Sequence, residues 1–339
     1  MIKIHFNHNE ITMKSPESQP VTAIAHPNIA FIKYWGNRDQ QLRLPCNSSL
    51  SMNLSGLETR TTVYFDPSLH KDVFILGGER ITGAAAERVS AFLNVVREFA
   101  GVDSYAQIES QNNFPAGAGV ASSASAFAAL ALAASTAIGL ELSEKELSRL
   151  ARRGSGSACR SIPTGFVEWQ AGSSDADSYA WSIAPAQHWS LVDLVCVIDK
   201  GHKAVGSTGG HALAGTSPLQ SLRLAHVQER VDLCRSAILA RDFETFAEVV
   251  EEDSNLMHAV MRTSNTPLHY WLPETEVVLW MVKSWRKEGI PVCATVDAGP
   301  NVHVLVESAH ANWVEQQLSR LPGISQIYKA QPGDGARLI

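Results

Sequence analysis

Apolar and polar positions along this chain fall into stretches of period two and stretches of period near 3.6, and both kinds occur in both halves. Residues 58 to 65 (ETRTTVYF), 73 to 76 (VFIL) and 105 to 110 (YAQIES) alternate or carry β-branched and aromatic side chains, as strands do. Between them, 83 to 100 (GAAAERVSAFLNVVREFA) has helical spacing. A second helix is expected from Ser122 to Ile138, where mostly Ala and Leu with no charged face imply a central position. Ser143, with Glu146 three residues on, makes a capping box that opens SEKELSRLARR, and Gly154 ends that helix.

Strands return at 165 to 170, 178 to 183 and 191 to 198. Helical spacing then occupies 219 to 240, 242 to 261 and 274 to 288. Strands at 292 to 296 and 302 to 307 flank the turn Asp297-Ala298-Gly299-Pro300, and a helix and a last strand near 325 to 329 follow. Strands mixed with helices in both halves argue for α+β layers rather than a strictly alternating parallel sheet. The expected division places residues 1–190 in an N-terminal domain and 191–339 in a C-terminal one.

Composition narrows the class. At 339 residues, 45% hydrophobic and 18% charged, the chain is long enough for two globular domains. Lys and Arg number 28 against 34 Asp and Glu, so the net charge of -6 offers no long-range attraction to nucleic acid or an anionic membrane. An anionic ligand must then be held by a local site. The five scattered cysteines show no C-x-x-C spacing for zinc and fit a reducing compartment. No secretory pattern opens the sequence and no apolar run nears the roughly 20 residues that span a bilayer, so a cytoplasmic location is expected.

Three segments carry candidate chemistry. PAGAGVASS, from Pro115 through Ala116, Gly117, Ala118 and Gly119 to Ser122 and Ser123, joins a strand to the Ala-rich helix. Its small residues and the helix start suit a phosphate, yet it lacks the G-K-[ST] of a Walker loop, and a plain tight turn explains it equally well. In RRGSGSACR, Arg152 and Arg153 suit a helix C-terminus facing its dipole, whereas Arg160, beyond the Gly154 stop, suits a carboxylate or phosphate. Asp297 ends an apolar strand, where a turn-forming aspartate is the plain alternative. Lys33 in NIAFIKYWGN can be read as a snorkelling lysine, and Asn47, Ser48, Ser49 and Ser51 as an edge strand with hydroxyls.

Taken together, HPNIAFIKYWGNRD, LPCNSSLSMNL, NNFPAGAGVASSAS, RRGSGSACRS, GFVEWQ, GST and DAGPN resemble, in order, the diphosphomevalonate and phosphomevalonate decarboxylases of the GHMP kinase superfamily. The resemblance implies a ribosomal protein S5 domain 2-like N-terminal domain and a ferredoxin-like C-terminal domain. It implies ATP and magnesium as cofactors, a mevalonate phosphate as substrate and a homodimer. By position, Pro115 to Ser123 and Asn47, Ser48 and Ser49 fall at the nucleotide site, with Ser123 at the magnesium ion. Asp297, Lys33 and Arg160 fall at catalytic positions, Arg160 gripping the departing carboxylate. Asn28, Tyr34, Asn37, Ser155, Ser157 and Thr208 fall in the substrate pocket.

The chain departs from the family at Asn37, where relatives usually carry a lysine that meets the substrate's diphosphate. At least one of the family's paired lysines near Lys203 is missing, and Thr208 stands where some bacterial relatives carry arginine. Fewer cations point to mevalonate 5-phosphate rather than the 5-diphosphate as substrate. A kinase that phosphorylates without decarboxylation, or a silent nucleotide-binding protein, is the rival reading. The joint presence of Asp297, Lys33 and Arg160 weighs against both.

Overall fold

The computed structural model describes residues 12–17, 19–114, 122–199 and 206–339. The helices are α1 (Ala84–Ala100), α2 (Ser122–Ala137), α3 (Glu144–Gly154), α4 (Ser207–Leu213), α5 (Gln220–Ala225), α6 (Val227–Ala240), α7 (Phe243–Thr263), α8 (Pro273–Lys287) and α9 (Ala311–Leu318). With two large sheets they form an α+β fold.

The six-stranded sheet runs Arg337–Leu338, Val21–Ala25, Thr59–Phe65, Ala106–Asn112, Val73–Leu76, Glu79–Ile81. Thr59–Phe65 alternates buried and accessible positions, so one face turns to the core. There Val63 and Phe65 meet Phe92 of α1 and Phe127 and Ala128 of α2. The alanines of α2 let this helix lie close against the sheet with almost no polar face, as its composition predicts.

The eight-stranded sheet runs Ala180–Ala184, Phe166–Trp169, Ser49–Ser55, Gln326–Pro332, Leu191–Val197, Val302–Glu307, Val292–Val296, with Asn28–Ile32 also paired to Ser49–Ser55. Ser49–Ser55 is therefore interior, hydrogen-bonded on both sides, and the edge-strand alternative fails. Ser49 Oγ accepts from Arg160 and Ser55 Oγ donates to the Gln331 carbonyl, whereas the buried Ser51 Oγ has no partner among the described residues. Leu191–Val197 is buried at every position, one face on α7 and the other on α8 and α9. Phe31 from the first half packs edge-on against Phe246 of α7 at 4.9 Å, so one apolar cluster takes residues from both halves.

Capping decides the boundaries of α3. Ser143 Oγ accepts from the Glu146 N–H and Glu146 accepts from the Ser143 N–H, the reciprocal box read in the sequence. The stretch 219 to 240, expected as one helix, is divided at His226 into α5 and α6. The break accompanies a buried ionic cluster: Arg223 of α5 and Arg230 of α6 both reach Asp253 of α7, and Arg230 also donates to the Arg223 carbonyl. No helix of the described residues is long and apolar enough to cross a membrane.

Candidate active site

The cavity lies where the strand Asn28–Ile32, the starts of α2 and α4, the turn after α3 and the segment after Val292–Val296 converge. A register shift between Ala30 and Ile32 ends regular pairing just before Lys33, the kind of irregularity that re-aims a side chain. The Lys33 backbone is then fixed from three directions. Its N–H donates to Asp253 Oδ2 at 2.7 Å, and its carbonyl accepts from Asn47 Nδ2 at 2.9 Å and Arg223 Nη2 at 2.8 Å. Asp253, fully buried, is balanced by Arg223 and Arg230.

So held, Lys33 is 1% exposed and its Nζ donates to Asp297 Oδ1 at 2.6 Å. Burial lowers the Lys33 ammonium from its ordinary value, and Asp297 and Asp253 act against that. Burial raises the Asp297 carboxyl, but Lys33 and then His303 outweigh it, leaving it below the usual carboxylate range. The two groups lie at ion-pair distance, and the carboxylate also lines the cavity. Asp297 thus does more than shape its turn, in which its carbonyl accepts from the Gly299 N–H at 2.7 Å.

Arg160 comes from the 3-10 turn Gly156–Ser161 and is 3% exposed. Its Nη1 donates to Ser49 Oγ at 2.7 Å, and Nε and Nη2 share Asn28 Oδ1 at 3.3 and 3.1 Å. Asn28 is itself set by donating to Ser161 Oγ and the Ser157 carbonyl. Trp169 lies under the guanidinium, 5.8 Å from ring centroid to carbon. Burial lowers the Arg160 pKa, yet a guanidinium stays charged in proteins. A fixed, desolvated cation lining the same cavity as the Asp297 carboxylate is suited to an anionic ligand group.

The preceding turn owes its shape to glycine. A Cβ on Gly156 would lie 2.5 Å from the Tyr34 ring, and one on Gly154 would lie 2.1 Å from the Phe127 ring. Both positions let aromatic walls approach the backbone closely. Ser155 Oγ meets Ser123 Oγ at 3.1 Å, joining this turn to the start of α2.

Of the sequence candidates, Asn28, Lys33, Tyr34, Ser122, Ser123, Ser155, Ser157, Arg160, Thr208 and Asp297 line one cavity. Asn37, Asn47, Ser48 and Ser49 do not. Asn37 accepts from the Tyr34 hydroxyl and donates to Gln40. Asn47 ties Lys33 to Arg223, Ser48 accepts from the Ala171 N–H, and Ser49 holds Arg160. Their hydrogen-bonding groups are spent on protein partners, so they brace the site from behind. Pro115, Ala116, Gly117, Ala118 and Gly119 lie outside the described residues, as does Lys203. Arg152, expected to face the dipole of α3, has a guanidinium that donates instead to the Leu42 and Ser178 carbonyls and to Asp175, while Arg153 accepts through its carbonyl from Arg43.

Sequence reasoning missed several cavity residues: Trp35, Arg43, Arg88, Ser207, His211 and Met257. His211 stacks on Tyr34 at 4.1 Å and accepts from the Gly36 N–H through Nδ1, which leaves the proton on Nε2. Burial, then Arg43, Arg160 and Arg223, push it down to about 3, so it is neutral. The GST motif with Thr208 pointed to this region, but no signal singled out His211.

A fold with a polar cavity lined by a paired lysine and aspartate and a buried arginine defines a small-molecule enzyme acting on an anion. The model of the diphosphomevalonate decarboxylase-like N-terminal domain matches residues 25–180, and that of the mevalonate 5-diphosphate decarboxylase C-terminal domain matches 193–333. The chain belongs to this decarboxylase family and is a carboxy-lyase. It is 38% identical over 314 residues to the diphosphomevalonate decarboxylase of Ganoderma lucidum, covering 85% of this chain and 78% of that one. It is 35% identical over 300 residues to the phosphomevalonate decarboxylase of Haloferax volcanii, covering 88% and 91%. A solved structure of the mevalonate diphosphate decarboxylase from Enterococcus faecalis aligns with TM-score 0.88 and 40% identity, covering 94% and 98%. Another, MDDEF in complex with MVAPP, AMPPCP and magnesium, aligns with TM-score 0.89 and 42% identity over the same shares.

Proposed function

We propose that this chain catalyses the ATP-dependent decarboxylation of mevalonate 5-phosphate to isopentenyl phosphate, releasing ADP, phosphate and carbon dioxide. The observation that carries the choice of substrate is Asn37. A neutral amide, engaged by Tyr34 and Gln40, stands at the position where the family resemblance expects a lysine for the diphosphate. The Haloferax relative named for the monophosphate supports the same reading.

In this reading Asp297 orients the tertiary hydroxyl and accepts its proton as the oxygen attacks the γ-phosphoryl group of ATP. Because Lys33 holds its carboxyl below the usual range, Asp297 acts chiefly by orientation, taking the proton late. The phosphate ester so formed makes the oxygen a leaving group. As that C–O bond breaks, the electron pair of the carboxylate's C–C bond forms the alkene and carbon dioxide departs. Arg160, fixed by Ser49 and Asn28, holds the carboxylate in line with the breaking bond. Lys33 stabilises the charge gathering on the released phosphate. Ser122 and Ser123 meet the nucleotide, and the Ser123 hydroxyl, which among the described residues meets the equally adaptable Ser155 hydroxyl, fits a magnesium ligand. Magnesium, when bound, neutralises charge on the transferring phosphoryl oxygens.

A second reading takes mevalonate 5-diphosphate as substrate, favoured by the names of the Ganoderma and Enterococcus relatives. Comparing kcat/KM for the two substrates, with carbon dioxide and ADP both measured, separates the readings. A higher value for the monophosphate is expected; a strong preference for the diphosphate overturns the choice, and ADP without carbon dioxide would leave only a kinase.

A further inference from the structure

Arg43 sits in the turn between the short strands Asn37–Asp39 and Leu44–Pro45, in left-handed backbone at φ 50°, and lines the cavity. Its Nε donates to the Arg153 carbonyl at 3.0 Å, and Arg88 of α1 donates to the next carbonyl, Gly154, at 2.9 Å. Two guanidinium groups are thereby held at the C-terminus of α3, facing one cavity. They are close enough to disfavour each other's charge: Arg88 is pushed down to about 10, first by burial and then by Arg43.

What surrounds these two differs from what surrounds the other arginines of the region. Arg149 and Arg152, on α3 itself, both pair with Asp175. Among the described residues, no carboxylate forms an ion pair with Arg43 or Arg88, and the Nη groups of Arg43 make no hydrogen bond. Two mutually repelling cations on a partly desolvated wall are stabilised by an anion supplied from outside. Arg43 is the one beside Tyr34, whose hydroxyl is committed to Asn37.

We propose that Arg43 recognises the phosphate tail of the substrate, supplying the charge that the amide at position 37 does not. This rests on the reading of the substrate as a phosphorylated mevalonate. With Nε fixed to the Arg153 carbonyl, the two Nη groups present one preset fork, which suits a single phosphate group. Arg43 is thus a determinant of substrate specificity in the cavity that Lys33 and Asp297 also line.

The test uses the full-length enzyme with magnesium ATP and whichever mevalonate phosphate it decarboxylates. In Arg43→Gln, KM for that substrate should rise about 10- to 100-fold, the value of a lost charge-assisted contact, while KM for ATP stays unchanged. Inhibition by mevalonate, which has no phosphate, should be the same in wild type and variant. Should the neutral variant not fold, Arg43→Lys decides: it keeps the charge but not the fork, and a severalfold rise in substrate KM is expected. An unchanged substrate KM in the folded variant overturns the proposal, and so does a rise confined to ATP, which would place Arg43 at the nucleotide. A wild type that releases carbon dioxide from neither phosphate defeats the functional reading itself, a result distinguishable from either.

Discussion

The two ends of the cavity handle charge in opposite ways. At one end, Lys33 and Asp297 neutralise each other, and Arg160 is locked by Ser49 and Asn28, each of them buried in a strand. At the other, Arg43 and Arg88 hang from helix carbonyls and meet no carboxylate among the described residues. A neutral, rigid end suits bond making, where groups must already be in place and little reorganisation can be tolerated. An unneutralised end suits capture, because the missing counter-charge arrives with the ligand. The difference teaches where substitutions should act on kcat and where on KM.

The largest effect is expected at the rigid end. Asp297→Asn should leave ATP affinity intact yet lower kcat by roughly 10² to 10⁴, the range for a positioned acid–base group. Steady-state carbon dioxide release measures this, and near-normal turnover would remove Asp297 from the chemistry. Arg160→Lys comes next. A point charge cannot make the contacts to Asn28 and Ser49 together with a two-pronged grip on a carboxylate, so kcat/KM should fall about a hundredfold. Unchanged kcat and KM would assign this arginine to structure alone.

Behind the rigid end, His258 of α7 donates through Nε2 to the Val296 carbonyl, one residue before Asp297. Burial pushes it down to about 3 from 6.5, against the raising effect of that hydrogen bond. As pH falls, the unfolded chain takes up the proton first. Stability is therefore full above about 6.5 and declines as pH falls towards about 3, by about 1.4 kcal/mol per pH unit for this one group. At pH 5 the loss is about 2 kcal/mol. Denaturant melts of His258→Gln, which keeps an N–H donor, should show a slope shallower by that amount between pH 6.5 and 5. An identical slope would mean that the imidazole is accessible to solvent when folded.

The elements that were legible in the sequence carry their own local signals. The capping box at Ser143 and Glu146, the alanine run of α2 and the paired strands around Asp297 were each readable because a few neighbouring residues decide them. The split at His226 was not, since the Asp253 that Arg223 and Arg230 both reach across it is their neighbour only in three dimensions. The same holds for the site. Lys33, Arg160 and Asp297 stood out by residue type within motifs, but Arg43 sits on a turn whose own pattern announces nothing. Its importance comes from Arg153 and Tyr34, neighbours in space. Asn47, Ser48 and Ser49 carry hydroxyls and an amide in a suggestive order, yet folding turns those groups towards protein partners.

The smallest effect is expected at position 37, and it bears most directly on the capturing end. Asn37→Lys removes the acceptor of the Tyr34 hydroxyl and adds a cation on a flexible stem near the existing Arg43 charge. A charge-assisted bond to a second phosphate is worth roughly 1.5 to 3 kcal/mol, but solvent screening and the entropy of the lysine stem favour the lower figure. The ratio of kcat/KM for mevalonate 5-diphosphate over the 5-phosphate should thus rise about tenfold. The rise should come from KM, since the Lys33–Asp297 pair and Arg160 are untouched. A ratio that does not move would show that the arginines alone set the preference for the tail, and a change carried by kcat would mean that the two ends of the cavity are coupled.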